Sequence, residues 1–437
     1  MKAFFSPTLL ACILTSFSAN AQGLLSAGPM NGRTEMREVA IWVQTIQSCE
    51  VGIEYWPIDQ PSKVNQSSLV TTNPETAYTA ILIAGEVSPG KEYAYKILLD
   101  SAPTGRIYHF KTQPNWLTAF ERPTVKFATG SCTFINDSLY DYPGKSYGSN
   151  YQIFDNILSQ KPDFMLWLGD NLYLRNADWT SKSGILKRYE HFRSTAELQN
   201  LWSGTHHYAI WDDHDYGPND ANGSFGLKHA SLEAFKAFWA NPYYGIQEGA
   251  SGITSSFSYA DLDFFLLDNR WYRTDPNLNA TDEQVFGKEQ IEWLIQNLKF
   301  SKAPFKFVAT GGQILNDEKV YETYANYEEE RAYLLSRIVE EGIKGVFFLT
   351  GDRHHTELSR FERNGIVLYD LTVSPLTSGA HANVKENNTL RVEGTLIETQ
   401  NFAVVTVSGK AKERILEMAV LDSDGKLLWK REIAEGK

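Results

Sequence analysis

Four apolar runs of strand length in this chain each run out into an acidic or histidine-bearing motif. In order these are Gly130-Ser131-Cys132, Gly169-Asp170-Asn171-Leu172-Tyr173, Trp211-Asp212-Asp213-His214-Asp215 and Gly351-Asp352-Arg353-His354-His355. Short uninterrupted apolar runs suit buried strands, and strands of that kind belong in a layered α/β fold. At the carboxyl ends of such strands the chain leaves the sheet, and that edge is where open α/β sheets bind ligands. The same context repeated four times points to one dispersed cation site and, through it, to metal-dependent hydrolysis.

From residue 124 onward the chain alternates strand and helix signals. Strands are expected at 125–130, 164–168, 207–211, 257–267, 305–309 and 345–349, and helices at 151–160, 184–193, 288–298 and 329–340. The tail, 404–433, returns to two-residue alternation with Asp424-Gly425 as a hairpin turn. Residues 24–113 read as all-β. Val39, Ile41 and Val43 alternate with Ala40, Trp42 and Gln44, and Tyr93, Tyr95, Ile97 and Leu99 alternate after the turn Ser88-Pro89-Gly90. The stretch 113–123, punctuated by Pro114 and Pro123, reads as a linker. The expected architecture is an α/β/β/α catalytic domain at 124–437 behind an all-β sandwich at 24–113.

The start of the chain adds a location. Met1-Lys2, an apolar stretch over 3–17 and the exit Ala19-Asn20-Ala21 read as a secretory signal peptide, residues 1–21, cut before Gln22. That stretch is too short to span a bilayer, and no later run reaches about 18 apolar residues. The expectation is a soluble, exported monomer, periplasmic or extracellular. A net charge of −12 without a basic run argues against nucleic-acid binding and suits an interior that holds multivalent cations. Beyond the leader, Cys49 and Cys132 fall in different domains. Cys132 is read as a free thiolate among the other motifs, not as half of a disulfide.

A carboxylate at the end of an apolar strand is costly to bury unless it binds cations. Asp170 is placed to bridge two ions at the separation of about 3.5–4 Å used in hydrolytic pairs. Tyr173, three residues on, can give a phenolate to a hard trivalent ion. In Asp352-x-His354 an oxygen and a nitrogen donor point to one side of an extended segment, a pairing that suits Fe, Mn or Zn better than Ca or Mg. His355 faces the other way. Within 211–220, Asp213 and Asn219 are candidate ligands. His214 is a candidate proton donor to a leaving oxygen, with Asp212 or Asp215 setting its tautomer. Arg270, after another apolar strand, is a candidate fork for phosphate oxygens; the alternative is a buried salt bridge to Asp268 or another acid. Gln313 is a further candidate for a hydrogen bond to the site.

Gly130-Ser131-Cys132, Gly169-Asp170-x-x-Tyr173, Trp211-Asp212-Asp213-His214-Asp215, Leu267-Asp268-x-Arg270 and Thr350-Gly351-Asp352-x-His354 together resemble the PhoD-like alkaline phosphatases. These are a branch of the calcineurin-like metallophosphoesterases, and the resemblance covers 124–376 with the preceding β-domain. The pattern Pro89-Gly90-x-x-Tyr93-x-Tyr95 resembles fibronectin type III modules and the leading domain of purple acid phosphatases. The resemblance implies hydrolysis of small-molecule phosphate monoesters, and of diesters, outside the cytoplasm at alkaline pH by a metal-activated water. It also implies two or more ions, ferric iron plus calcium with Mn or Zn as alternatives, the iron held by Cys132, Asp170, Tyr173 and His354. Three positions depart from the wider superfamily. Ser131-Cys132 stands for Asp-x-His, Asp213 for Asn, and Gly312-Gln313 for a Gly-His strand end, which leaves the second ion's ligand set open. Two competing readings are a dedicated phosphodiesterase or nucleotidase, and a non-catalytic exported module that binds phosphate, calcium or glycans. The second gives Asp170 and Asp352-x-His354 no purpose.

Overall fold

The computed structural model describes residues 24–117, 121–144, 146–247, 251–278 and 283–436, so the leader expected at 1–21 lies outside the described residues. Two mixed sheets face each other at its centre. In the nine-stranded sheet, Val125–Gly130, Phe164–Leu168 and His206–Ile210 lie parallel side by side, with Gly130 opposite Trp167 and Leu168 opposite Ile210. The tail strands Asn401–Ser408, Ile415–Asp422 and Leu427–Ala434 extend one edge by antiparallel pairing. In the six-stranded sheet, Leu262–Leu266, Lys306–Ala309, Val346–Thr350 and Ile366–Thr372 are parallel neighbours.

Alternation assigns each strand residue to a layer. Phe127 and Phe164 from the larger sheet stack at 5.1 Å, and Phe264 of the smaller sheet meets each of them edge-on at 5.3 Å. Edge-to-face contacts of this kind favour one docking of the two sheets over others. On the far side of the smaller sheet, Phe265, Val308, Val346 and Phe348 enter a separate core under the helices Lys288–Phe300 and Glu328–Glu340. On the far side of the larger sheet lie Ile153–Ser159, Lys182–Ser194, Gln199–Gly204 and Lys228–Phe238. The order of layers is α/β/β/α. No helix among the described residues is long and apolar enough to cross a membrane.

The N-terminal region is all-β, with Val39, Ile41 and Val43 packed against Ile53, Tyr95 and Ile97 of a second small sheet. It is not a separate module on a tether. Leu25–Thr34, Val39–Thr45 and Thr79–Ala84 continue the nine-stranded sheet, and Asn31 pairs in parallel with His206. Trp42, on the face opposite Val43, donates its indole N–H to the Ala237 carbonyl at 2.8 Å. Gln113, expected in a linker, is buried and donates to the carbonyls of Thr34 at 2.7 Å and Ser258 at 3.0 Å.

Several elements differ from expectation. The single strand at 257–267 is a hairpin, Ser255–Tyr259 and Leu262–Leu266, turned at Ala260 (φ +50°). Apolar residues on both sides of a tight turn mask it. Lys228–Phe238 is a helix in a stretch where the sequence pattern predicts no element; Ser231, Leu232, Phe235 and Phe238 are on its buried face. Leu25–Thr34 pairs although Gly28, Pro29 and Gly32 obscure its pattern.

Candidate active site

The strand ends converge where the two sheets meet. A Cβ on Gly351 would lie 2.6 Å from the Ser131 Cβ and 2.8 Å from the Leu168 carbonyl oxygen, so the chain can pass there only as glycine. Beyond this contact the backbone turns sharply. Cys132, Asp170, Asp352 and His354 all adopt the left-handed region, with φ of +59°, +47°, +67° and +52°. Such conformations cost roughly 1–3 kcal/mol each and gather at functional sites. They also let Asp352 and His354 both line one cavity without the alternation of a regular strand.

Asp170 stands at the middle. Its Oδ2 lies 3.5 Å from the Cys132 Sγ and accepts from the Tyr173 hydroxyl at 3.3 Å. The Tyr173 oxygen is 3.2 Å from His354 Nε2. His354 Nδ1 lies 2.6 Å from the Gly379 carbonyl, to which it donates. That tautomer turns the Nε2 lone pair toward Tyr173 and Asp170. One sulfur, one carboxylate, one phenol and one imidazole thus face a common point, and the ligand atoms of Cys132, Asp170 and His354 all lie within 4.8 Å of one another.

The other oxygen of Asp170, Oδ1, accepts the backbone N–H of His214 at 3.3 Å. Asp170, Asp213 and His214 form a second cluster within the same 4.8 Å limit. Asp213 accepts from the Asp220 N–H at 2.8 Å through Oδ2, while its Oδ1 is buried without a hydrogen-bond partner among the described residues. The His214 ring packs on Tyr173 with centroids 4.2 Å apart, and its Nε2 lies 3.9 Å from Asp213. Asn219 and Asp352 line the same cavity.

Electrostatics favour bound cations. Burial, followed by repulsion from Asp213 and Cys132, pushes the Asp170 carboxyl well above the usual range. Burial, with Asp212 and Glu322 next, does the same to Asp352, and burial beside Cys132 and Asp170 raises the Tyr173 phenol. Among the described residues Asp170 meets a thiol, a phenol and a backbone N–H, and no cation. A donor set that repels itself in this way is stabilised when positive ions bind. Sulfur and imidazole donors join Asp170 on the Cys132 side, and a second carboxylate with His214 joins it on the Asp213 side.

Arg270 is placed differently from the phosphate fork expected of it. It is fully buried and does not line the cavity. Its Nε donates to Asp212 at 2.5 Å and its Nη1 to Glu322 at 2.9 Å, so the buried salt bridge is what forms, with Asp212 and Glu322 as its acids. A third acidic cluster, Asp212, Asp213 and Glu322, therefore has a protein countercharge already in place. Gln313 is likewise turned away, donating to Glu357 at 2.8 Å and Thr372 at 2.9 Å. His355 is buried 3.7 Å from Glu357.

The cavity of about 560 Å³ is also lined by residues not singled out in the sequence, among them Tyr147, Arg273, Tyr321, Arg353 and His381. Arg353 sits inside the motif Gly351-Asp352-Arg353-His354-His355, and its position between two candidate ligands was the available signal. Tyr147, Tyr321 and His381 lie on loops far from any motif, and no local pattern marks them.

This fold is shared with solved phosphatases. A structure titled PhoD matches with a TM-score of 0.76 at 18% identity, over 94% of this chain and 92% of that one. The purple acid phosphatase PPD1 from yellow lupin (Lupinus luteus) seeds matches at 0.68 and 14% identity, over 93% and 74%. The PhoD-like phosphatase family model matches residues 127–412, and the chain belongs to that family. Residues 22–115 match a domain of unknown function (DUF7800). Alkaline phosphatase D of Bacillus subtilis (strain 168) is 24% identical over 383 residues, 75% of this chain. The chain spans 63% of the length of that relative.

Proposed function

We propose that this chain is an exported, metal-dependent phosphatase that hydrolyses phosphate monoesters, and diesters in the same cavity, at alkaline pH. The observation that carries the reading is that the buried Asp170 carboxylate belongs to two donor clusters, one with Cys132 and His354 and one with Asp213 and His214. Cys132, Asp170, Tyr173 and His354 would hold ferric iron; Asp170, Asp213, Asn219 and Asp352 would hold calcium. When bound, such ions supply hydroxide from water near neutral pH and neutralise charge on phosphoryl oxygens.

The protein's own groups do the rest. Gly379 holds His354 in the tautomer that presents Nε2, and Tyr173 braces the His214 ring over the cavity. Burial lowers the pKa of the His214 imidazole and Asp213 beside it only partly opposes this, so the ring would pass a proton to a leaving alkoxide while holding it less tightly than a free imidazolium does. Elemental analysis with a visible spectrum tests the assignment. An iron-bearing, coloured protein whose band disappears in Tyr173→Phe while iron content persists is expected; a colourless, iron-free, active enzyme refutes the iron and its phenolate ligand.

Removing the metals tests the electrostatic argument separately. Chelator-stripped protein is expected to melt about 5 °C or more below the loaded form at neutral pH. Because burial raises Asp170 and Asp352 in the folded chain, the unfolded chain ionises these groups first as pH rises. The stripped protein therefore loses stability as pH climbs above about 4, the ordinary carboxylate pKa. Equal melting of stripped and loaded protein across pH 5 to 8 contradicts this.

The cavity volume of about 560 Å³ far exceeds a phosphoryl group and falls within the range of sites for small organic ligands. A dedicated phosphodiesterase or nucleotidase would use the same residues, and relative rates on an aryl phosphate and its bis-ester separate the two.

A further inference from the structure

Resting on the phosphatase reading above, we propose that Arg353, and not Arg270, is the guanidinium that grips the phosphoryl group of the substrate in this cavity. Arg353 lies between Asp352 and His354, both on the cavity wall, and lines the cavity itself. Only 2% of its side chain is exposed. Its Nη2 pairs with Glu386, but its Nε and Nη1 are buried and find no hydrogen-bond partner among the described residues. A guanidinium with two unmatched donors in a desolvated wall carries an uncompensated cost that an anion removes.

The remaining charges of the wall narrow the assignment. Asp170, Asp213, Asp220, Asp275, Glu322 and Asp352 line the cavity against two arginines, Arg273 and Arg353. Arg273 is engaged with Glu322 at 2.8 Å. Arg353 is held from behind by Glu386, which is itself steadied by Asn316 at 3.2 Å, and its guanidinium carbon stands 4.6 Å from the centre of the Tyr321 ring. The fork is thus locked in plane before any ligand arrives. A phosphoryl group offers several oxygens to such a fork, and preorganisation makes the contact stronger than a mobile side chain would.

A structural role, in which Arg353 merely ties down the segment around Glu386, makes a different prediction. The test compares wild type with R353A, R353K and E386Q, using inhibition by inorganic phosphate and kcat/KM on an aryl phosphate, with metal content measured on each. R353A is expected to weaken phosphate inhibition about tenfold or more and to lower kcat/KM at least as far, with metals retained. R353K keeps the charge without the fork and is expected to lose about threefold or more. E386Q keeps the fork but loosens its anchor, and is expected to lose phosphate inhibition by several-fold less than R353A does.

A change below threefold in R353A overturns the proposal, as does an E386Q loss matching that of R353A. If R353A does not fold, R353K decides by the same criterion. A wild-type protein that hydrolyses no phosphate ester refutes the underlying function instead, and calorimetric binding of inorganic phosphate by wild type and R353K then decides the Arg353 assignment alone.

Discussion

Asp170→Asn is expected to lower kcat/KM by at least roughly 10³-fold while leaving the fold intact. The substitution keeps the shape of the side chain and its acceptor for the His214 N–H, 3.3 Å away. It removes the negative charge that both donor clusters share, so metal content is expected to fall together with activity. A factor of 10³ corresponds to about 4 kcal/mol of transition-state stabilisation. A second consequence runs the opposite way. Burial next to Asp213 and Cys132 makes the ionised Asp170 unfavourable in the absence of cations, so metal-free D170N is expected to be more stable than metal-free wild type. Undiminished hydrolysis by D170N would point to a contaminating activity and to a binding module in place of an enzyme.

Arg270→Met is expected to destabilise the protein by about 3–5 kcal/mol, the usual cost of leaving buried charges without their partner. The side chain is 0% exposed and stands between Asp212, at 0%, and Glu322, at 10%. Among the described residues Asp212 Oδ2 and Asp213 Oδ1 already lack hydrogen-bond partners, so none of these supplies a spare donor to replace the guanidinium. The damage also reaches the site, because Asp212 caps the short helix Asp213–Tyr216 that carries Asp213 and His214. Urea unfolding of the metal-free proteins measures the effect; a loss under 1 kcal/mol contradicts it. The contrast with Arg353 is diagnostic: R270M acts on stability, and R353A on phosphate affinity.

Much of the site was legible because its residues follow apolar strands. In Phe164–Leu168 and Val346–Thr350 every residue is buried, and the Gly-Asp that follows each can only mark an exit from the sheet. Cys132, Asp170, Tyr173 and His354 were named from that context, and the structure brings them together. Arg270 shows where local reading leaves two outcomes open. An arginine after an apolar strand has the same sequence appearance whether it faces a ligand or two acids from distant segments, Asp212 and Glu322. The hairpin at Ala260 and the strand Leu25–Thr34 escaped for a related reason: pairing partners, not local pattern, made them what they are.

By itself the sequence determined the class of fold and the chemical identity of the donors, since periodicity and residue type are local properties. Tertiary structure alone decided which donors share a centre, which arginine is neutralised, and that the N-terminal strands join the catalytic sheet through Asn31 and His206. Those outcomes depend on contacts between residues far apart along the chain, and their energies arise only when burial removes water from both partners at once.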